Sequence, residues 1–262
     1  MNHLVDEKCI YEFDRIYNTD YWGGSGGGSK VSSTEIYRKF LKDFIIKNKI
    51  KSVSDIGCGD WEFWQYINWD DLTYKGYDIV ESVIQSNNKK FAKPNIEFKL
   101  LKDYNKISHS ELLICKDVLQ HLNHKEVNKF IEIVFPKFKK ILLTNDVSNN
   151  SLNDDSRYNK DLKPGEYAWF DIRKGPYLLK AKTLLKYNVH YGKDGNYWKK
   201  ETVLVNLNNW IYPVATFQKN LLWCHADYLP FDENKESSFR NHGTNSLSKN
   251  CHFWTSSFGK LL

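Results

Sequence analysis

The stretch that most restricts what this chain can fold into is VSDIGCGDWEFW, residues 53–64. An apolar run ends at Asp55, Gly57 and Gly59 flank Cys58, and Asp60 leads into a cluster of aromatic residues. Glycine takes up positive φ without a steric penalty and lets a ligand or another backbone come close. The pattern therefore predicts a strand, a tight turn, and a helix beginning after Asp60, with backbone N–H groups of the turn facing a ligand at the carboxyl edge of a sheet. It does not complete the dinucleotide fingerprint GxGxxG, because Glu62 occupies the third glycine position. A nicotinamide-dependent oxidoreductase is disfavoured on that ground.

The flanking sequence alternates between two periods. Ser33 followed by Ile36, Phe40, Phe44 and Ile45 predicts an amphipathic helix ending near Asn48. Strands are expected at 50–57, 74–79, 96–101, 111–115 and 140–145, with helices at 61–67, 80–91 and 124–137 between them. Such βα alternation implies a parallel sheet. Residues 183–190 and 201–206 alternate as a terminal antiparallel pair would. The fold class expected is α/β and Rossmann-like, mostly parallel with an antiparallel terminal strand, helices on both faces and an irregular C-terminal extension. Ahead of this pattern lies YWGGSGGGSK, with five glycines in residues 23–28.

Composition narrows the function classes. The chain of 262 residues carries 38 Lys and Arg against 32 Asp and Glu, a net charge of +6, with its lysines scattered rather than gathered into a stripe. Nucleic acid is therefore not the expected partner. No apolar run approaches the roughly 20 residues of a membrane helix, and the acidic N-terminus, MNHLVDEKCIYEFD, is unlike a signal peptide. A cytoplasmic location is expected. Five cysteines without a CxxC pair indicate reduced thiols. Cys224, His225, Asp227, His242, Cys251 and His252 match no zinc spacing.

Asp78 ends the next strand, in YKGYDIV, about 20 residues after the glycines, where an acid accepts hydrogen bonds from both hydroxyls of a ribose. Strand, D-x-G-x-G turn, helix, strand and acid in this order resemble the class I S-adenosylmethionine-dependent methyltransferases over residues 22–207. The resemblance implies that Asp55, Gly57, Cys58, Gly59 and Trp61 hold the methionine part of S-adenosylmethionine, and that Asp78 and Ile79 hold the ribose side. By the same likeness Asp103, in NIEFKLLKDY, serves the adenine, and Lys116 lines the cofactor. Trp22, Gly23 and Ser25 belong to a segment that folds over the cofactor. The chain divides accordingly into an N-terminal segment and lid, 1–35, a methyltransferase domain, 36–207, and an extension, 208–262, with a role in covering the cleft or in a homodimer contact.

LLICKDVLQHL, residues 112–122, resembles the family's fourth strand and the turn beside the reacting methyl group. His121 is the expected general base, since imidazole titrates near neutrality, with Asp117 or Asp146 as orienting carboxylate. Asn145 and Asp146 end the fifth strand and, with Arg157 and Tyr167, are expected to touch the acceptor. No metal is required, although Asp117, Asn145 and Asp146 are of cation-binding type. PGEYAWFDIRKGPYLL, residues 164–179, resembles a segment of methyltransferases from bacterial and viral surface-glycan gene clusters, with Ala168 in place of that group's arginine. This implies O-methylation of a sugar hydroxyl, or of a phosphate or phosphoramidate oxygen, on a small or nucleotide-linked capsule precursor. Aromatic residues such as Trp64, Tyr158 and Trp169 would offer stacking surfaces, and Lys116, Arg157 and Arg173 would favour an anionic acceptor. A non-catalytic cofactor-binding module of the same fold, or methylation of another small molecule, are the alternatives.

Overall fold

Val53, Ile56, Leu112, Leu113, Ile114, Ile141, Leu142 and Leu143 are all buried, as near-continuous apolar runs are when a parallel sheet is covered on both faces. The computed structural model describes residues 3–148, 155–190, 197–205 and 207. Its strands are β1 (Ser52–Ile56), β2 (Thr73–Asp78), β3 (Ile96–Leu100), β4 (Leu112–Lys116), β5 (Lys140–Val147), β6 (Ala181–His190) and β7 (Tyr197–Val205). They form one sheet in the order β3-β2-β1-β4-β5-β7-β6. The first five run parallel, and β7 lies antiparallel between β5 and β6. After β3 the chain crosses to the far side of β1, so a crevice opens at the carboxyl ends of β1 and β4, the position where open α/β sheets bind ligands.

Helices α1 (Glu7–Asn18), α2 (Glu35–Lys47), α3 (Glu81–Phe91) and α4 (His124–Lys129) surround the sheet. Asp6 caps α1 by accepting from the Lys8 N–H at 2.9 Å, and Asn123 caps α4 by accepting from Glu126 N–H at 2.8 Å. Each sheet face has its own core. Cys9 of α1 and Val127 of α4 join Ile56, Leu113, Ile141 and Val203 on one side; Tyr37, Leu41 and Phe44 of α2 join Val53, Leu112, Ile114 and Leu142 on the other.

The helix expected at 61–67 is not there. Trp61 has φ 61°, and only a single tight turn, Trp64–Tyr66, follows. Trp61, Phe63, Trp64 and Trp69 are buried and fill the second core, with the Trp69 indole donating to the Trp64 carbonyl at 2.9 Å. Burial of four large rings outweighs a short run of helical hydrogen bonds. The helix expected at 124–137 is shorter as well: α4 gives way at Phe130 to a wider π-helical turn through Val134, and a tight turn carries Pro136. The proposed extension 208–262 lies outside the described residues, which fall within one unit, Met1–Tyr212.

Candidate active site

The carboxyl ends of β1, β2 and β4 open into a cleft holding about 1000 Å³ of space, open mouth included. Trp22, Ser25, Gly57, Cys58, Gly59, Trp61, Asp78, Ile79, Lys116 and Asp117 all line it. The glycine turn follows β1 at the expected place, but the N–H groups expected to face a ligand are turned onto Tyr77 and Asp78 instead. Gly57 and Gly59 have φ 75° and 56°, and the N–H groups of Gly57 and Cys58 donate to the Tyr77 carbonyl at 2.8 and 3.1 Å. A Cβ at Gly57 would run into the Val118 side chain, so the turn sits hard against the wall after β4.

Asp78 faces the cleft with one oxygen accepting from Gly59 N–H at 3.0 Å and the other from Val80 N–H at 3.1 Å. Burial pushes its carboxyl up to about 6 despite these bonds. Asp55 is placed differently. It is buried behind the turn, outside the cleft lining, and accepts the Tyr74 hydroxyl at 2.6 Å. Desolvation raises it to about 7. Its work is to brace β1 against β2.

Asp103 also lies off the cleft, where it accepts from Asn105 N–H at 2.8 Å and meets His3 Nδ1 at 2.9 Å. The N-terminal segment bridges to it there, through Leu4. The corresponding end of the cleft is apolar, walled by Ile79, Leu101, Tyr104 and Leu122, with Val5, Cys9 and Phe13 contributed from the N-terminal segment and α1.

The glycine-rich segment lies over the other end. Ser25 Oγ accepts from Asp60 N–H at 2.8 Å and meets the Tyr17 hydroxyl at 2.8 Å, while Ser25 N–H donates to Asp60 Oδ2 at 3.1 Å. Lys30 pairs with Glu62 at 2.9 Å, and Lys116 Nζ donates to the Gly28 carbonyl at 2.9 Å. Gly23 takes φ 68° without lining the cleft. Trp22 stacks on His121 with ring centroids 4.8 Å apart.

That stacking places His121 beside the cleft rather than in its lining. Its Nδ1 lies 3.0 Å from the Glu166 carbonyl and its Nε2 3.3 Å from the Gln120 amide. Burial lowers its pKa. Both ring nitrogens are engaged with the scaffold, so the ring anchors Trp22, with Tyr167 5.9 Å away on its other side. Asp117 is the carboxylate that does face the cleft, in a left-handed conformation with φ 58°. Burial alone would raise it, but Lys116 and Lys200 more than offset burial and hold it at about 2.

The residues expected at the acceptor are dispersed. Asp146 turns away from the cleft toward Lys200 and Gln120, which donates to it at 3.4 Å. Asn145 is on the opposite face of β5, in a small pocket with Phe170 and Arg173. The Arg157 guanidinium lies 4.9 Å from the Trp169 ring, outside the cleft lining. Among the described residues, no group of three or more His, Cys, Asp or Glu is arranged to hold a metal ion, and no helix is long and apolar enough to cross a membrane. The histidines and cysteines singled out beyond residue 208 lie outside the described residues. Sequence reading missed Tyr17, Asp60 and Glu62, which fasten the lid, and Lys200, which carries no local signal at all.

No protein-family model matches the chain, and no curated protein matches it. Solved structures do. The 1,6-didemethyltoxoflavin-N1-methyltransferase of Burkholderia thailandensis, determined with 1,6-didemethyltoxoflavin and S-adenosylhomocysteine, is 11% identical, aligns over 77% of this chain and 93% of its own, and gives a TM-score of 0.54. The N-methyltransferase NodS of Bradyrhizobium japonicum, determined with S-adenosylhomocysteine, is 11% identical over 76% of this chain and 98% of its own, with a TM-score of 0.51. At that identity the likeness defines the fold, which is the Rossmann-like fold of class I S-adenosylmethionine-dependent methyltransferases.

Proposed function

We propose that this chain is an S-adenosylmethionine-dependent methyltransferase that transfers the methyl group to an oxygen of a small acceptor of surface-glycan type. The observation that carries the reading is Asp78, a buried carboxylate fixed by two backbone N–H groups and turned into a cleft beside a positive-φ glycine turn. The residues present fit the cofactor. Asp78 is an acceptor for ribose hydroxyls, the Gly57–Gly59 turn leaves room for the methionine part, and the apolar end at Ile79 and Leu101 suits a flat adenine ring.

When bound, S-adenosylmethionine supplies an electrophilic methyl group on a sulfonium. The chain's own residues align and enclose. Ser25, Lys30 and Gly28 fasten the glycine-rich segment over the cleft, which excludes water from the reacting end. Asp117 presents an ionised oxygen at the cleft wall to orient an acceptor, a task that we assign to it and not to His121.

Calorimetric titration of the purified protein with S-adenosylmethionine, S-adenosylhomocysteine and, as control, NADH tests this directly. Micromolar binding of both adenosyl ligands and none of NADH is expected. Asp78→Ala should weaken S-adenosylhomocysteine by about a hundredfold, since it removes a bidentate charged acceptor at a buried position. A folded protein that binds neither adenosyl ligand, or an Asp78→Ala variant that binds as well as the parent, overturns the assignment.

A further inference from the structure

We propose that Asp117 is the seat of a neutral hydroxyl of the acceptor, and that Lys200 is the residue that positions it. This rests on the methyltransferase reading and specifies what its acceptor site takes.

Four ionisable side chains meet at the wall of the cleft. Lys116 Nζ lies 2.5 Å from Asp117 Oδ2, Lys200 Nζ lies 2.9 Å from Asp117 Oδ1, and the same Lys200 Nζ lies 2.5 Å from Asp146 Oδ1. Their side chains are between 2% and 13% exposed. Lys116 and Asp117 line the cleft, whereas Lys200 and Asp146 stand behind them. Lys200 comes from β7, directly opposite Asp146 of β5 in the antiparallel register, so the sheet itself fixes where its ammonium points.

Charge decides what this arrangement accepts. Two ammonium groups against two carboxylates leave no net charge, and each Asp117 oxygen already receives one ammonium. A phosphate or carboxylate seated against Asp117 would face an ionised oxygen, and among the described residues lining the cleft the cation is Lys116, already committed to Asp117. An ammonium seated there would meet the ammonium groups of Lys116 and Lys200 as well as the carboxylate they already pair with. A neutral hydroxyl meets neither penalty and donates to a remaining lone pair of the carboxylate. Of the cations that the sequence offered to an anionic acceptor, Arg157 lies 4.9 Å from the Trp169 ring and outside the cleft lining, and the other two are paired within the fold. Lys116 belongs to this cluster, and Arg173 pairs with Asp171 at 2.7 Å and Glu201 at 3.0 Å.

The glycine-rich segment passes directly beside this seat. Lys116 Nζ holds the Gly28 carbonyl, and a Cβ at Gly28 would lie 2.9 Å from Asp117 Oδ2 and 3.1 Å from Lys200 Nζ. The backbone of the glycine-rich segment thus lies directly on the cluster, and glycine at 28 is what permits it. Lys200 is a positioning residue: it does not reach the cleft, and acts by holding one Asp117 oxygen and keeping the group ionised.

Matched probes test the proposal. Protein saturated with S-adenosylhomocysteine is titrated with methyl hexopyranosides and with the 6-phosphates of the same sugars. The neutral member of at least one pair should bind, and its phosphate should bind about tenfold more weakly or worse. A tighter phosphate, or no binding by any neutral probe to the loaded protein, overturns the proposal; failure of S-adenosylhomocysteine itself to bind overturns the methyltransferase reading instead. Lys200→Met should leave S-adenosylhomocysteine affinity within about twofold and lower affinity for the neutral probe about tenfold, with partial recovery in Lys200→Arg. Should Lys200→Met fail to fold, Lys200→Met/Asp146→Asn keeps the cluster neutral and should show the same selective loss. In the parent, probe affinity should stay level down to pH 5, whereas in either variant its acid limb should move up toward the ordinary carboxylate range near 4. A limb that does not move, with probe affinity retained, reduces Lys200 to a structural role and overturns its part.

Discussion

Asp78 is a carboxylate whose two oxygens are each fixed by a backbone N–H and whose pKa is nonetheless raised to about 6, because burial outweighs those bonds. This sets a sign for the pH dependence of cofactor binding. Ribose hydroxyls donate to the ionised form, so binding favours the carboxylate and lowers its pKa. Affinity for S-adenosylhomocysteine should therefore be level above pH 7 and fall as pH drops through 6, by up to about tenfold per unit. Titrations from pH 8 to 5 check this, and Asp78→Asn should bind weakly without the limb. His121 is set apart from this limb by position: burial lowers its pKa, and its ring nitrogens face the Glu166 carbonyl and the Gln120 amide rather than the cleft. Asp78 was readable as the acid ending β2 shortly after the turn, but not the Gly59 and Val80 N–H groups that hold it. Asp55 and Asp103 were readable as acids but not in their direction: Tyr74 and His3 decide where they face, and neither partner is marked by spacing. Lys200 was the least visible, being 83 residues from Asp117 and brought to it by strand register alone.

At the scale of elements, the N-terminal segment walls one end of the cleft with Val5, Cys9 and Phe13. It pairs with the chain after β3 through Val5 N–H to the Lys102 carbonyl and Tyr104 N–H to the His3 carbonyl, at 3.1 and 3.0 Å. Lys129 of α4 secures it by donating to the Leu4 carbonyl at 2.7 Å, and also pairs with Glu126, which is fully buried and accepts the Tyr104 hydroxyl at 3.1 Å. Lys129→Met should accordingly cost about 3–5 kcal/mol in urea unfolding, because it strands a buried carboxylate. The double variant Glu126→Gln/Lys129→Met should recover much of that loss, and a cost equal to the single variant's would contradict the account. Strand periodicity fixed the sheet in advance, whereas the missing helix after the glycine turn was not legible. A run of bulky aromatics at 61–69 looks the same whether it faces solvent on one side of a helix or fills a core, and only the space beneath β2 and β3 selects the second.

At the scale of the molecule, the strand order places every described element of the site on one side of a boundary near residue 212. Among the described residues, those lining the cleft run from Val5 to Phe130, Lys200 stands behind its wall on β7, and the last strand ends at Val205. Among the described residues, both cores are likewise built from residues no later than Leu207. Terminal segments dispensable to a core are dispensable to its folding, provided that no backbone hydrogen bond of the sheet is lost, and β7 retains both of its neighbours when the chain stops at Tyr212. A chain ending there should fold with a cooperative unfolding transition and bind S-adenosylhomocysteine within about twofold of the full chain. Should the shortened protein fold but lose the ligand, residues beyond 212 would have to complete the cofactor site. Should it bind normally yet change in size on chromatography, they would instead serve the homodimer contact expected from the sequence, and the acceptor probes could then be applied to the shorter chain.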